Sequence, residues 1–376
     1  MRRLLLAVGL AAASLPAQEN AGRSTPTRPG GAPPVAAPTA PKAAPKAVAP
    51  AGPAKPAPRA AAAPKSGEGK IPAAGAYVGA REISRVLKAA STWDAGKKQL
   101  TLTVANRRFV LEAETREAEF DGVRVFLGAP AEIRQGELAI SKIDYLRLLT
   151  PAVRPGQGAG KPPGLKTIVI DPGHGGRDTG KVNARLRVLE KEMTLDTARR
   201  LKVLLEAKGY RVVLTRDDDR YVELTDRPAV ADRVDADLFL SLHFNAVEAD
   251  VERVTGVEVY TMTPQHQLSA NRQPDDQVAV HNPGNFNDHW NAVLGFAVHR
   301  DLLAALKVPD RGLKRSRFAV LRLARCPAVL IEAGFLSNDA EAARVATQGY
   351  RQQIAVAIAA GVRSYGAALA QARANR

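Results

Sequence analysis

VIDPGHGGRDTG, residues 169–180, decides how the rest of this chain reads. An apolar run, Ile168 to Ile170, stops at Asp171, and Pro172, Gly173, Gly175, Gly176 and Gly180 follow closely. This is a buried strand that breaks into a sharp turn, because glycines admit backbone angles that other residues avoid and proline stiffens the approach. A single histidine, His174, is carried into that turn. A phosphate-cradling loop would be a rival use of the glycines, but the stretch lacks a Gly-Lys-Ser/Thr ending and the spacing of a dinucleotide fingerprint.

Downstream, strand and helix patterns alternate. EKEMTLDTARRLKVLLEAKG is an amphipathic helix, YRVVLTR a strand, LTDRPAVADRV a helix, ADLFLSLHFNA a strand running into His243, and GVEVYTM another strand. HWNAVLGFAVHRDLLAALK reads as a helix, FAVLRLARCPAVLIEAGFLSN as two strands, and GYRQQIAVAIAAGVRSYGAAL as a closing helix. Such alternation predicts an α/β fold, a twisted and mostly parallel sheet covered by helices on both faces. Its ligand site belongs beyond the carboxyl ends of the strands.

Ionisable groups fall at those ends. His174 follows one strand, His243 follows DLFLSL and Glu332 follows AVLI, while Glu190 opens the long helix. Two imidazoles and a carboxylate with an open position make a catalytic zinc site, and a further carboxylate can act on the water. Each residue taken singly has a plainer use. Either histidine could be a hydrogen-bonded loop residue, and Glu190 could favour the positive end of a helix dipole. Glu332 is harder to explain so, because a carboxylate in an apolar run is costly unless paired or functional.

Seven stretches, in this order, carry a resemblance: IVIDPGHGGRDTG, LEKEMTLDTARRL, VVLTRDDDRYVELTDR, ADLFLSLHFNA, GVEVY, DRGLKRSRFAVLR and PAVLIEAGFLSN. From about Lys166 to Leu369 the chain resembles the zinc-dependent N-acetylmuramoyl-L-alanine amidases of bacterial cell-wall turnover. The resemblance implies a Zn2+ ion held by His174, Glu190 and His243, with Glu332 as the catalytic carboxylate. It implies a peptidoglycan hydrolase that cuts the amide between N-acetylmuramic acid and L-alanine of the stem peptide. One departure is visible, since KVNARLRVLEK replaces the family's short Gly-containing stretch. Glu192 lies two residues beyond Glu190, and Lys191 completes the family's Glu-Lys pair at Glu190. A non-catalytic wall-binding protein and a zinc peptidase acting on the stem peptide are the alternatives.

The remaining sequence bounds location and partners. Arg2 and Arg3, then an apolar run from Leu4 to Leu15 and an exit at Ala17, read as a signal peptide over 1–17, so the protein is expected to be exported, periplasmic or extracellular, and wall-associated. No later segment reads as long and apolar enough to span a bilayer, and no stable membrane anchor is expected after cleavage. Residues 18–75 are Ala, Pro, Gly and Lys, with almost nothing to bury, and read as a disordered linker. Residues 76–155 read as a small α+β unit of the stalk type, weakly resembling the amine-oxidase N-terminal module. Its strands include a hairpin turn at Asn106 and Arg107 and another at Asp121-Gly122. A short linker, 156–164, precedes the catalytic part, 165–370. The net charge of +16 suits a polyanion. With the family resemblance, that polyanion is peptidoglycan, not nucleic acid, and a protein activator is among the partners that fit. The single cysteine, Cys326, reads as a small core residue.

The stretch from Thr263 to Trp290 follows a strand and is expected to emerge near the zinc-bearing edge as a surface loop or a gate. Its Asp275 and Asp276 could reach toward a cation, and His266, His281 and His289 read as surface residues. His299 reads as packing or surface.

Overall fold

The computed structural model describes residues 76–270 and 277–375. The expected signal peptide, the expected Ala/Pro linker and the Asp275–Asp276 pair lie outside the described residues.

The first part runs β1 (Tyr77–Gly79), α1 (Ala80–Leu87), β2 (Ala90–Asp94), β3 (Gln99–Val104), β4 (Arg107–Glu112), β5 (Glu117–Phe120), β6 (Val123–Phe126), β7 (Glu132–Arg134) and β8 (Glu137–Ser141). Two short helices, α2 (Lys142–Asp144) and α3 (Thr150–Val153), close it around one π-turn. The β5–β6 turn is Asp121-Gly122, both with positive φ (50° and 77°), as a tight primed hairpin requires. The β3–β4 turn is Ala105-Asn106, one residue earlier than the sequence suggests.

The second part runs β9 (Thr167–Pro172), a small hairpin of β10 (Val182–Asn183) and β11 (Val188–Leu189), α4 (Glu190–Glu206), β12 (Arg211–Leu214), α5 (Asp226–Arg233), β13 (Leu238–Asn245) and β14 (Val257–Met262). Then come α6 (Asp288–Leu306), β15 (Asp310–Ser316), α7 (Ala319–Leu323), β16 (Ala328–Phe335), α8 (Asp339–Ala346) and α9 (Gln348–Ala374). One local expectation is corrected: AVLRL within FAVLRLA is the short helix α7, not a strand. DRGLKRS, unassigned from the sequence, is a strand, β15. DRGLKRS contains only one apolar residue, Leu313, so its sequence carries almost no strand signal; its pairing with β14 makes it one.

All but five of the strands join one sheet in the order β12-β9-β13-β16-β14-β15-β6-β5-β4-β3-β2. The strands β12, β9, β13 and β16 are mutually parallel. β14 runs antiparallel to β16 and parallel to β15. The first part continues the sheet where Val125 of β6 pairs with Leu313 of β15.

Alternation along each buried strand separates two cores. Ile168, Ile170, Leu240 and Ile331 face α4, α6 and α9, while Val169, Phe239 and Leu330 face α5 and α7. The larger cluster also takes in Phe109, Phe120 and Val125, so one apolar core runs through both parts. The buried ion pair Arg315–Asp144 joins them too, and Gln267 Nε2 donates to Ser141 Oγ at 3.0 Å. α9 is long and apolar enough to cross a membrane, contrary to the expectation. It is a core helix, burying Ile354, Ile358, Val362, Tyr365 and Leu369 against α4 and α6.

The reversed direction of β14 corrects another expectation. Glu258, near its start, lies beside Glu332, so Met262 and the following stretch leave at the opposite edge of the sheet from Glu332. His289 is not on the surface either: it is 5% exposed, and its Nε2 donates to the carbonyl of Pro155 at 2.7 Å. His299 is wholly buried against Asp310 at 2.7 Å, and Cys326 is a buried thiol.

Candidate metal centre

β9 ends at Pro172, and the backbone N–H of Gly173 donates to Leu242 O at 2.9 Å, which holds the turn against β13. A side chain at Gly173 would meet the His243 ring at 2.3 Å. One at Gly180 would meet Glu190 Oε2 and His174 Cδ2, each at 2.6 Å. These glycines therefore make room for side chains that converge. His174 itself has φ 60°, the left-handed region that costs a non-glycine residue about 1 kcal/mol or more, so its surroundings must hold it there.

They do so with buried charge. Arg227 Nη2 donates to His174 O at 2.8 Å, and Nη1 to Pro172 O and Asp171 Oδ1, both at 2.9 Å. Arg216 Nη2 donates to Gly173 O at 2.7 Å and to Lys191 O at 2.9 Å. Asp171 is wholly buried and accepts from Thr215 and Ser241 as well, at 2.6 and 2.8 Å. Burial, with the nearby Arg227 charge, pushes Arg216 down to about 10. Two guanidiniums thus clamp the carbonyls of the turn, and one carboxylate balances them.

Glu190 is the first residue of α4, 4% exposed. Its N–H donates to Lys181 O at 3.0 Å, its Oε2 accepts from Lys181 N at 2.8 Å, and its Oε1 accepts from Phe244 N at 3.0 Å. Oε1 lies 3.0 Å from His174 Nε2 and 3.1 Å from His243 Nδ1, and the two ring nitrogens are 3.2 Å apart. On the far side of its ring, His174 Nδ1 pairs with Asp178 Oδ2 at 2.9 Å. A carboxylate there orients a ligating imidazole and favours the tautomer with Nε2 bare.

This donor set fits a small divalent cation. Three lone-pair atoms at 3.0–3.2 Å repel one another unless a proton or a cation lies between them. Ligands at about 2.0–2.1 Å around a tetrahedral zinc stand about 3.3 Å apart, close to what is seen. The charges agree with the geometry. For Glu190, burial works against the anion, but the hydrogen bonds and charges of His174 and His243 hold its carboxyl far below the usual range. For His174, burial opposes the cation, and Glu190 and Asp178 more than offset it, raising the imidazole.

Glu332 ends the apolar part of β16, with His243 and Glu258 as its neighbours across the sheet. Its Oε2 is buried without a hydrogen-bond partner among the described residues. Burial raises its carboxyl well above the ordinary range; the charges of Glu190 and Glu258 reinforce this, and Lys314 partly offsets it. His174, Glu190, His243 and Glu332 share an open cleft of about 510 Å3 with Lys181, Asn245 and Glu248. The structure thus brings all four sequence-selected residues together. Glu192 is exposed, and the group of ligating atoms among the described residues is His174, Glu190 and His243 alone.

Sequence reasoning missed the supporting residues. Asp178 stood four residues after His174, a spacing a turn can close. Glu258 sits in GVEVYTM as a carboxylate among apolar residues, the same signal that singled out Glu332. It is 3% exposed and held by Lys314 at 2.6 Å, Tyr260 at 2.7 Å, Asn245 at 3.0 Å and Arg311 at 3.3 Å.

The sequence model for N-acetylmuramoyl-L-alanine amidase matches residues 168–364. The Bacillus subtilis protein YqiI is 32% identical over 200 residues, which cover 53% of this chain and 84% of that one. The N-acetylmuramoyl-L-alanine amidase LytC of Bacillus subtilis is 34% identical over 53% of this chain, though the match spans only 35% of LytC. The probable cell wall amidase LytH of Staphylococcus epidermidis is 33% identical, with 58% of its length covered. Among solved structures, the amidase AmiC2 of Nostoc punctiforme is 32% identical, with a TM-score of 0.46 and coverage of 55% of this chain and 99% of that one. The CwlD amidase of Clostridioides difficile, solved in complex with the GerS lipoprotein, is 28% identical, with a TM-score of 0.44 and coverage of 54% of this chain and 98% of that one.

Proposed function

Since the chain belongs to the N-acetylmuramoyl-L-alanine amidase family, we propose that it hydrolyses peptidoglycan at the amide between the lactyl group of N-acetylmuramic acid and the first L-alanine of the stem peptide. The observation that carries this reading is the convergence of His174 Nε2, Glu190 Oε1 and His243 Nδ1 within 3.0–3.2 Å, with Glu332 in the same cleft. His174, Glu190 and His243 would hold a zinc ion. When bound, zinc supplies Lewis acidity toward the scissile carbonyl and makes water a stronger acid.

The chain's own groups do the rest. Asp178 and Phe244 N–H keep His174 and Glu190 in their ligating orientations. Glu332 takes the proton of the attacking water and returns it to the departing L-alanine nitrogen, so that the carbon–nitrogen bond breaks to a carboxylic acid and an amine. A carboxyl whose affinity for protons is raised by burial suits the second of these transfers.

The protein acts after export, its leader removed, in the cell wall. Residues 76–155 position the catalytic part on the wall, and a protein activator controls it. The net charge of +16 suits an acidic polymer. The test is a digest of purified sacculi analysed by mass spectrometry, with and without a chelator. Free lactyl carboxyls with new L-alanine amino ends, lost on chelation, are the expected products. New ends within the stem peptide would make the protein a peptidase, and absence of products would make it a wall-binding protein.

A further inference from the structure

The cleft carries a cation that the hydrolytic reading leaves idle. Lys181 follows Gly180, which is pressed against His174 and Glu190, and its own backbone exchanges two hydrogen bonds with Glu190, at 2.8 and 3.0 Å. Its position beside the three converging ligands is therefore rigid. Its side chain is partly buried and lines the cleft. Neighbouring cations are engaged: Lys191 pairs with Asp219 at 2.7 Å, Arg185 with Asp339 at 2.9 Å and Arg177 with Glu223 at 3.3 Å. Among the described residues, the Lys181 ammonium has no ion-pair partner. Arg187, on the same hairpin, does not line the cleft.

A lysine whose backbone is tied to Glu190, and whose ammonium has no ion-pair partner among the described residues, calls for an anion on the substrate. The muramic carboxyl cannot supply it, because that carboxyl is tied up in the scissile amide. The next acid along the substrate is the second residue of the stem peptide, which is joined through its side-chain carboxyl and so keeps its α-carboxyl free. Consecutive α-carbons stand about 3.8 Å apart, which puts this carboxylate about 6–7 Å from the scissile nitrogen, and an extended lysine reaches about 6 Å from its own α-carbon. Lys181 is the one Lys or Arg among the described residues that line the cleft, and the exposed carboxylate of Glu248 in the same lining disfavours an anion beside it.

We propose that Lys181 is a specificity-determining residue that reads an unamidated α-carboxylate on the second residue of the stem peptide. The proposal rests on the amidase reading and names which wall it suits, one whose second stem residue is left as the acid. A partly desolvated charge-assisted hydrogen bond is worth about tenfold or more in selectivity. A neutral amide still accepts through its carbonyl oxygen, but the bond is weaker because the anion's attraction is gone.

The experiment compares two soluble disaccharide peptides that differ only in whether the second residue is the acid or its amide. The zinc-loaded full chain is expected to favour the acid about tenfold or more in kcat/KM, mainly through KM, with the preference shrinking as salt is raised. Lys181→Met is expected to bring the ratio close to one, and Lys181→Arg to restore most of it. Equal cleavage of both substrates by the natural chain overturns the role of Lys181 while leaving the amidase reading standing, and so does a preference that survives Lys181→Met. If neither substrate is cut at the muramyl amide, the amidase reading falls and the proposal falls with it.

Discussion

Replacing His289 by glutamine should remove much of the protein's sensitivity to mild acid. His289 is 5% exposed at the start of α6, where its Nε2 donates to Pro155 O at the end of the first folded part. Burial, with some help from the Arg147 charge, pushes the imidazole from its ordinary 6.5 to about 4, although the hydrogen bond to Pro155 opposes the shift. The folded state thus binds the proton less readily than the unfolded chain. The contribution to stability is fully present above pH 6.5 and is lost as the pH falls through 6.5 toward 4. A shift of about 2.5 units corresponds to about 3 kcal/mol in total, of which about 2.5 kcal/mol is gone at pH 4.5. Glutamine keeps an N–H donor where Nε2 stood and does not titrate. Urea unfolding at pH 7.5 and 4.5 measures the difference. The natural chain should lose about 2.5 kcal/mol more than His289→Gln between the two values. Contributions from all other groups are common to both proteins and cancel. Parallel stability curves for the two proteins would refute the argument, and would mean that His289 is hydrated or already charged when folded.

Three further outcomes are expected. His174→Ala and His243→Ala should each lose both bound zinc, measured by elemental analysis, and activity on sacculi; full activity in a metal-free preparation would exclude the metal centre. Glu332→Gln should keep zinc and fold but lose at least about 100-fold in rate, the scale of general acid–base help; loss of zinc from this variant would make Glu332 a ligand. Asp144→Ala leaves the Arg315 guanidinium buried without its carboxylate. It should cost about 3–5 kcal/mol of stability in urea unfolding, and an unchanged midpoint would show that the two folded parts are not joined through this pair.

What the amino-acid order determined by itself was local. The apolar run that stops at Asp171, the glycines around His174 and the helix opened by Glu190 are short-range patterns set by backbone sterics and by the period of the side chains. Parallel strands all end at one edge, so reading His243 and Glu332 as strand-end residues was enough to place them near His174. The same logic failed for Thr263 to Trp290. Nothing in GVEVYTM says whether the strand runs up or down the sheet, and β14 runs down beside β16, carrying that stretch to the far edge. Strand direction, like the pairing of Val125 with Leu313 that extends the sheet, is a relation between segments remote in sequence. The same holds for the burial of His289 under Pro155 and for the two arginines that hold the His174 turn. Lys181 reads in sequence as one more surface cation. Only the fold, by tying its backbone to Glu190 and leaving its ammonium without an ion-pair partner among the described residues, sets it apart, because ion pairing depends on distances that chain order does not specify.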